Sequence, residues 1–256
     1  MHSVRSTPII LAFLLVGSIL LASCSPEDSL SVKLSDLEMV RFDPGYHFES
    51  VELSDNTVLP FVLHSPGVTA NSRLPLIIVL HPGQLTGEYQ GEAILKSLFF
   101  PGLSDLRAIF VAPTAVRGHW ASEAELELIE AMIEGMIEAQ WPIDPSRIVL
   151  SGFSAGVTGT WFMTGTNPTL FRAGISVAAE PLVGSLEGTR LVPKYVIHSR
   201  ADLEFIFDDV EIEVQAEIDA GAPIVFAPVD DLSHNAFSAY LPALEGARLW
   251  LSEILN

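Results

Sequence analysis

Residues 152–156, with the sequence G-F-S-A-G, have the clearest chemical meaning in this chain. In the pattern G-x-S-x-G the central serine, here Ser154, lies on a sharp turn between a strand and a helix, where its hydroxyl can attack a carbonyl carbon. An apolar, β-branched run at 147–150 precedes the pattern, and residues 157–163 can continue as a helix. Gly152 and Gly156 suit such a turn, because no side chain fits beside the strained serine or against the departing helix. The sequence therefore predicts a nucleophilic serine.

A nucleophilic serine needs two partners. Its hydroxyl is a poor nucleophile at neutral pH, so a histidine must accept the proton and a carboxylate must orient that histidine. Where such a serine follows a strand of a parallel sheet, the chain order is serine, acid, histidine. Asp202 follows a strand-like run at 194–198, and His234 follows another at 223–228. Both are expected at the sheet edge that carries Ser154, and the three residues form the candidate catalytic set.

Other residues of the same types compete for the two partner roles. The alternatives for the acid are Glu180, Asp208 and Asp209, and those for the base are His198, which ends a strand, and His119, which lies in a loop. Position and chain order favour Asp202 and His234.

The elements that must position these residues alternate along the chain. Runs at 46–53 and 58–63 flank a turn at 54–57 and predict an antiparallel hairpin. The unbroken apolar run at 74–80 is typical of a strand that helices bury on both faces. Further strands are predicted at 108–112, 148–151, 173–178, 194–198 and 223–228, and helices at 122–140, after the serine, at 205–220 and at 242–255. The sequence thus predicts a three-layer α/β/α fold with an eight-stranded, mostly parallel sheet.

Several further motifs occur in an informative order. H-P-G-Q at 81–84 follows the third strand, D-P-S-R at 144–147 precedes the serine strand, N-P-T-L-F-R-A follows the serine helix at 167–173, and H-S-R-A-D at 198–202 contains the candidate acid. Over about residues 74–256 the chain resembles the α/β-hydrolases, in particular the small lidless esterases of the polyhydroxyalkanoate-depolymerase, feruloyl-esterase and phospholipase/carboxylesterase types. The resemblance implies a triad of Ser154, Asp202 and His234. Only residues 181–193 lie where larger hydrolases insert a lid, so the site is expected to be open.

The resemblance also implies an oxyanion hole made of backbone N–H groups. One donor is the N–H of Ala155, which follows the nucleophile. Pro82 stands where the family usually has glycine and has no N–H to donate, so the second donor is Gly83 or Gln84. Ser199 stands where the family has a glycine before the acid.

The substrate pocket is less determined by the sequence than the triad. Phe153, His119 and Trp120 are candidates for its lining, although an aromatic residue in a loop as often packs in the core. His81 and His198 are expected to shape their loops through hydrogen bonds. The histidines do not have the spacing of metal ligands, so neither a metal site nor another cofactor is predicted.

The N-terminal residues predict export and lipid attachment. Residues 1–23 contain an apolar run at 9–21 that is too short for a membrane span, which is typical of a signal peptide. L-A-S-C at 21–24 resembles a bacterial lipobox, in which Cys24, the one cysteine of the chain, becomes lipid-modified. The alternative is a secreted protein cleaved by ordinary signal peptidase. Residues 24–38 are expected to form a polar tether between the lipid and the fold. Residues 39–256 are expected to form one hydrolase domain. Ser25 after the cysteine favours the outer membrane in an organism that has one.

Charge and motifs together narrow the function classes. A formal net charge of −19 argues against nucleic acid and anionic headgroups as partners, so membrane contact would come from the lipid anchor. The expected function is a serine esterase that cleaves small-molecule or oligomeric esters through an acyl-enzyme. One alternative is a serine peptidase of the prolyl-oligopeptidase-like type, which usually carries an additional gating domain. Another is a non-catalytic surface lipoprotein on a hydrolase fold.

Overall fold

Eight strands form one sheet in the computed structural model, which describes residues 30–69, 71–83, 85–182 and 187–256. They are β1 (Gly45–Glu52), β2 (Val58–Ser65), β3 (Leu74–Leu80), β4 (Ile109–Pro113), β5 (Ile143–Phe153), β6 (Ala173–Val177), β7 (Lys194–Ser199) and β8 (Ile224–Val229). Their order is β1-β2-β4-β3-β5-β6-β7-β8. The pairs β1–β2 and β2–β4 are antiparallel and the others are parallel, which confirms the predicted sheet. The predicted signal peptide, Cys24 and Gln84 lie outside the described residues.

The central strands are buried on both faces. All but the first residue of β3 are buried. Leu76 and Ile78 join one apolar cluster, whereas Ile77 and Val79 join another, because successive side chains of a strand point to opposite faces of the sheet. This two-sided burial explains why the run is apolar without alternation.

Helices cover the two faces of the sheet. They are α1 (Leu34–Glu38), α2 (Glu92–Ile94), α3 (Phe100–Leu103), α4 (Glu123–Glu138), α5 (Ala155–Thr166), α6 (Phe207–Asp219) and α7 (Leu241–Ile254). Met132 of α4 belongs to the first apolar cluster and Leu251 of α7 to the second, so these two helices lie on opposite faces. Among the described residues, no helix is both long and apolar enough to cross a bilayer.

Two side chains, Ser122 and Glu125, fix the start of α4. The Ser122 hydroxyl accepts a hydrogen bond from the Glu125 N–H at 3.3 Å, as expected for an N-cap. The Glu125 side chain accepts a hydrogen bond from the Arg117 N–H at 2.5 Å and so holds the loop that precedes the helix. Burial raises the pKa of the Glu125 carboxyl, against the hydrogen bond from Arg117.

Residues 92–106 form a helical segment that was not predicted from the sequence. It runs from α2 through a π-helical turn, Leu95–Phe99, into α3 and then a 3₁₀ turn, Ser104–Leu106. Pro101 and Gly102 interrupt the usual helical sequence pattern, which is why periodicity alone missed the segment. Its apolar residues complete the second cluster.

The connection between β6 and β7 is short. It spans residues 178–193, of which 183–186 lie outside the described part of the chain. Its described residues contain one 3₁₀ turn, Glu187–Arg190, and no lid helix.

The structure places the N-terminal boundary of the packed domain before residue 39. Val32 pairs with Leu53 as an isolated β-bridge, and Leu37 of α1 is buried. The indole N–H of Trp141 donates a hydrogen bond to the Leu37 carbonyl oxygen at 3.1 Å. Residues 32–38, which the sequence assigns to the tether, therefore pack on the domain, because they supply apolar side chains within a polar stretch.

Lys194, at the start of β7, is fully buried. Its ammonium donates hydrogen bonds to the carbonyl oxygens of Thr189 at 2.5 Å and Val192 at 3.1 Å, and it lies 4.9 Å from the centre of the Trp161 ring. Burial lowers the pKa of Lys194 to about 7, although Glu217 attracts the charged form. The unfolded chain, with a lysine pKa near 10.5, binds a proton that the folded protein releases as the pH rises above 7.

This difference in proton binding predicts a pH-dependent stability. A depressed lysine pKa means that the free energy of unfolding increases with pH between the folded and unfolded values, by about 2 kcal/mol from about pH 7 to about pH 9. Urea unfolding should show this increase for the wild type and for a Lys33→Met control, whose side chain is exposed. In Lys194→Met the increase should disappear. An equal increase in Lys194→Met would show that another group causes it.

Candidate active site

Ser154 lies at the turn between β5 and α5. Its φ of 52° and ψ of −121° place a non-glycine residue in a region that usually costs about 1–3 kcal/mol. The backbone N–H of Ser154 donates to the carbonyl oxygen of Val177 at 3.0 Å, which ties the turn to the end of β6. This strained turn presents the Ser154 hydroxyl at the carboxyl ends of the parallel strands.

The two glycines of the pentapeptide allow close backbone contacts around the turn. A Cβ atom at Gly152 would collide with the carbonyl oxygen of Gly156, and one at Gly156 would collide with the carbonyl oxygen of Leu80. Only glycine therefore lets α5 depart directly over the ends of β3 and β5.

The side chains of Ser154, His234 and Asp202 form one hydrogen-bonded chain. The Ser154 Oγ lies 2.8 Å from His234 Nε2, and His234 Nδ1 lies 2.8 Å from Asp202 Oδ2. The carboxylate of Asp202 can only accept, so the bonding assigns the proton to Nδ1 and lets Nε2 accept from the serine hydroxyl. The His234 side chain is 5% exposed and that of Asp202 is 0% exposed. The structure thus brings together the three residues that the sequence singled out.

The alternative acids and bases make other contacts or lie apart from the hydrogen-bonded series of Ser154, His234 and Asp202. Among the described residues, His234 has no hydrogen bond with Glu180, Asp208 or Asp209. His198 is buried, and its Nε2 lies 2.9 Å from the carbonyl oxygen of Phe205. Burial lowers the pKa of His198, so a neutral ring donates this bond and supports the acid loop, as the sequence predicted.

The loop that carries the acid is fixed by the acid itself. Asp202 Oδ1 accepts hydrogen bonds from the N–H groups of Glu204 at 2.8 Å and Phe205 at 3.1 Å. These bonds fold the loop back over His234, whose ring centre is 5.4 Å from that of Phe205. Glu204 Oε2 lies 3.5 Å from His234 Nε2. Glu204 and Phe205 were not predicted from the sequence, although an aspartate whose side chain accepts from the N–H groups of nearby following residues is a common turn signal.

Ser199 connects the loop after β7, which carries Asp202, with the loop after β8, which carries His234. Its buried hydroxyl oxygen accepts from the N–H of Ala201 and from the N–H of Leu232, each at 3.1 Å. Ala201 precedes Asp202, and Leu232 lies two residues before His234. The glycine that the resembling family has at this position could not make either bond. Ser199 therefore sets the relative position of Asp202 and His234.

We expect Ser199→Ala to lower kcat by about 10- to 100-fold without a matching change in KM, because a small shift of the acid relative to the histidine is costly. The variant leaves two partly buried N–H groups without their acceptor, so kcat and the pH profile are measured at a temperature well below that of its unfolding midpoint. Ser199→Thr keeps the hydroxyl and should restore most of the rate. Wild-type kcat per folded molecule in Ser199→Ala would limit Ser199 to a structural role.

The predicted oxyanion region lies beside the nucleophile. An added Cβ at Gly83 would be 3.3 Å from the Cβ of Ala155, so the loop after β3 passes directly over the start of α5. His81 fixes this loop, since its Nδ1–H donates to the Pro82 carbonyl oxygen at 2.6 Å and its Nε2 accepts from the Ala115 N–H at 3.2 Å. Burial lowers the pKa of His81, which favours this neutral form.

The structure corrects two of the three pocket predictions. Phe153 is fully buried, and its ring packs against those of His234, Phe237 and Tyr240. It therefore supports the histidine ring and does not line an open pocket. Trp120 is 2% exposed and its indole N–H donates to the His81 carbonyl oxygen at 2.9 Å. Both large rings fill the core next to the catalytic loops, which is the more frequent fate of an aromatic residue. His119 is exposed, and its role in a pocket stays a prediction.

Comparisons with known proteins identify the architecture. No protein-family model and no curated protein sequence matches the chain. A thermostable esterase superposes with a TM-score of 0.67 at 19% identity over 81% of this chain, which covers 62% of that esterase. The fold is that of the α/β-hydrolases. Esterase 2 of Thermogutta terrifontis, phosphonylated by cyclosarin, matches this hydrolase fold with a TM-score of 0.63 at 18% identity over 82% of this chain and 95% of its own. The same esterase is known with butyrate bound.

A peptidase of this hydrolase fold matches over a smaller share of its length. A proposed dipeptidyl aminopeptidase IV from Bacteroides ovatus has a TM-score of 0.62 at 15% identity over 82% of this chain but only 36% of its own. Within the described residues, no group of three or more His, Cys, Asp or Glu side chains is arranged to hold a metal ion.

Proposed function

We propose that this protein is a serine esterase that cleaves carboxylic esters through an acyl-enzyme. The observation that carries the proposal is the continuous hydrogen-bonded chain from the Ser154 hydroxyl through His234 to the buried carboxylate of Asp202. The strained turn at Ser154 and the hydrolase fold support the same function.

The geometry supports a two-stage reaction. Ser154 Oγ attacks the ester carbonyl carbon while His234 Nε2 takes the serine proton, and Asp202 stabilises the resulting imidazolium. The carbonyl oxygen becomes an oxyanion, and its proposed donors are the backbone N–H of Ala155 and that of Gly83 or Gln84, of which Gln84 lies outside the described residues. Collapse expels the alcohol, which takes the proton from His234.

Water completes the cycle at the same site. His234 removes a proton from a water molecule, and the resulting hydroxide attacks the acyl-enzyme carbonyl carbon. The second tetrahedral intermediate releases the carboxylic acid, and Ser154 regains its proton from His234. The reaction requires no group other than the triad, the backbone donors and water.

One observation favours an ester over a peptide substrate, and a second argues against a protein without activity. The Thermogutta esterase is matched over 95% of its own chain, whereas the aminopeptidase is matched over 36%. The intact hydrogen-bonded chain also argues against the non-catalytic alternative, since a surface protein without activity has no use for an aligned serine and histidine.

The test combines covalent labelling with a substrate panel. A fluorophosphonate probe should modify the protein at one site, identified by peptide mass spectrometry as Ser154. Short-chain nitrophenyl esters should be hydrolysed much faster than aminoacyl nitroanilides. Labelling of Ser154 without ester turnover, or faster cleavage of the anilides than of the esters, would favour a peptidase. Absence of labelling would favour the non-catalytic alternative.

We propose in addition that the mature protein is lipid-anchored through Cys24. The lipobox-like residues 21–24 and the lack of any other cysteine support this, although the segment lies outside the described residues. Cys24→Ser should release the protein from the membrane fraction of cells that express the full chain. An equal membrane share for the variant would contradict the anchor.

A further inference from the structure

Glu204 places a second carboxylate beside the reacting atoms. Its Oε2 lies 3.5 Å from His234 Nε2, the same nitrogen that lies 2.8 Å from the Ser154 Oγ. The Asn235 amide donates to Glu204 Oε1 at 3.0 Å and orients the side chain, which is 54% exposed. In the described part of the chain, no arginine or lysine forms an ion pair with Glu204. The reaction derived above does not use this carboxylate.

The position of Glu204 relates it to one part of the substrate. His234 Nε2 delivers a proton to the alcohol oxygen as that alcohol leaves. Groups around Nε2 therefore face the alcohol moiety of an ester rather than its acyl chain. Since Glu204 lies within 3.5 Å of this nitrogen, the alcohol must pass next to the carboxylate.

An aromatic ring borders the same place. Phe205 is half-buried, and its ring centre lies 5.4 Å from that of His234. Its backbone is fixed at both ends, because its N–H donates to Asp202 and its carbonyl oxygen accepts from His198. A carboxylate together with the face of an aromatic ring is a combination that recognises ammonium groups.

The cation on the same loop does not neutralise Glu204. Arg200 pairs with Asp230 at 3.3 Å, and its guanidinium lies 4.2 Å from the centre of the Phe207 ring. The net charge of −19 adds a long-range attraction for cations and repels anions.

From these contacts we infer that Glu204 makes the site selective for esters whose alcohol carries an ammonium group near the ester oxygen, such as esters of amino alcohols. The inference rests on the proposed esterase function and names its substrate class. Neutral esters remain substrates, because the triad does not depend on the charge of the alcohol. Esters of anionic alcohols are disfavoured by Glu204.

The test compares esters that differ only in charge. Acetylcholine and its neutral isostere 3,3-dimethylbutyl acetate have the same shape, so their kcat/KM ratio isolates the effect of the positive charge. The wild type should prefer the cation by about 5- to 20-fold at low ionic strength, as expected for one partly solvated charge pair, and the preference should shrink as salt is added. The ratio within one enzyme cancels any effect of Glu204 on His234.

Three variants separate the charge of Glu204 from its shape and from net charge. Glu204→Gln should reduce the preference to less than about twofold. Glu204→Asp keeps the carboxylate and should retain part of the preference. Glu253→Gln makes the same change in net charge on an exposed face of α7 and should behave as the wild type.

The outcomes distinguish this inference from the proposed function. Hydrolysis of both acetates without preference, or an unchanged preference in Glu204→Gln, would overturn the role of Glu204 and leave the esterase in place. If neither acetate nor any nitrophenyl ester is hydrolysed, the esterase itself is wrong, and the inference falls with it.

Discussion

Ser154→Ala should lower kcat for ester hydrolysis by about 10⁶-fold, to the residual rate that backbone donors and binding provide. The loss is this large because the hydroxyl is the only atom in the described site that can form the acyl bond, and His234 Nε2 then has no proton to take from a nucleophile. The variant should also lose all labelling by the fluorophosphonate. Initial rates with a nitrophenyl ester, measured on protein purified from a host free of that activity, give the value.

The folding of Ser154→Ala can be checked independently. Alanine and serine face the same strain at a φ of 52°, so the unfolding midpoint should change little. Ser252→Ala is the matched control. It removes a hydroxyl on α7, far along the chain from the turn at Ser154, and should keep the wild-type rate. Turnover by Ser154→Ala at the wild-type rate would overturn the catalytic role of the serine.

The sheet could be predicted from the sequence because its signals are local. The run at 74–80 is apolar without alternation, and β3 occupies these residues with both faces buried. The triad could be predicted because a second rule acts on top of the first: the carboxyl ends of parallel strands meet at one edge, so residues after β5, β7 and β8 converge. Neither inference required knowledge of how a loop folds.

The residues that escaped prediction depend on loop geometry. Glu204 reaches His234 only because Asp202 Oδ1 bonds the next two N–H groups and turns the chain back. Ser199 joins two loops through hydrogen bonds to residues 2 and 33 positions away along the chain. No residue next to Ser199 in the sequence indicates the bond to Leu232. Phe153 failed as a pocket residue because its place next to the serine does not determine which side of the sheet its ring faces.

Asp202→Asn should lower kcat by about 10⁴-fold while KM changes little. The amide can still accept the N–H bonds of Glu204 and Phe205 through its oxygen, so its NH₂ group is turned toward His234 Nδ1. That nitrogen must then accept, the ring proton moves to Nε2, and His234 donates to Ser154 instead of accepting its proton. The loop keeps its fold while the base has the wrong tautomer.

The control for this substitution is Asp209→Asn, at one of the acids that the sequence left open and that lies in the first turn of α6. It removes the same charge but makes no bond to His234, so its kcat should stay within about twofold of the wild type. Since an asparagine at 202 preserves the turn that carries Glu204, the unfolding midpoint of Asp202→Asn should fall only slightly, and near-UV circular dichroism should be unchanged. A rate within tenfold of the wild type in Asp202→Asn, or a large loss in Asp209→Asn, would assign the orienting carboxylate to a different residue. The bond between His234 Nδ1 and Asp202 Oδ2 would then hold the loops together without directing the proton.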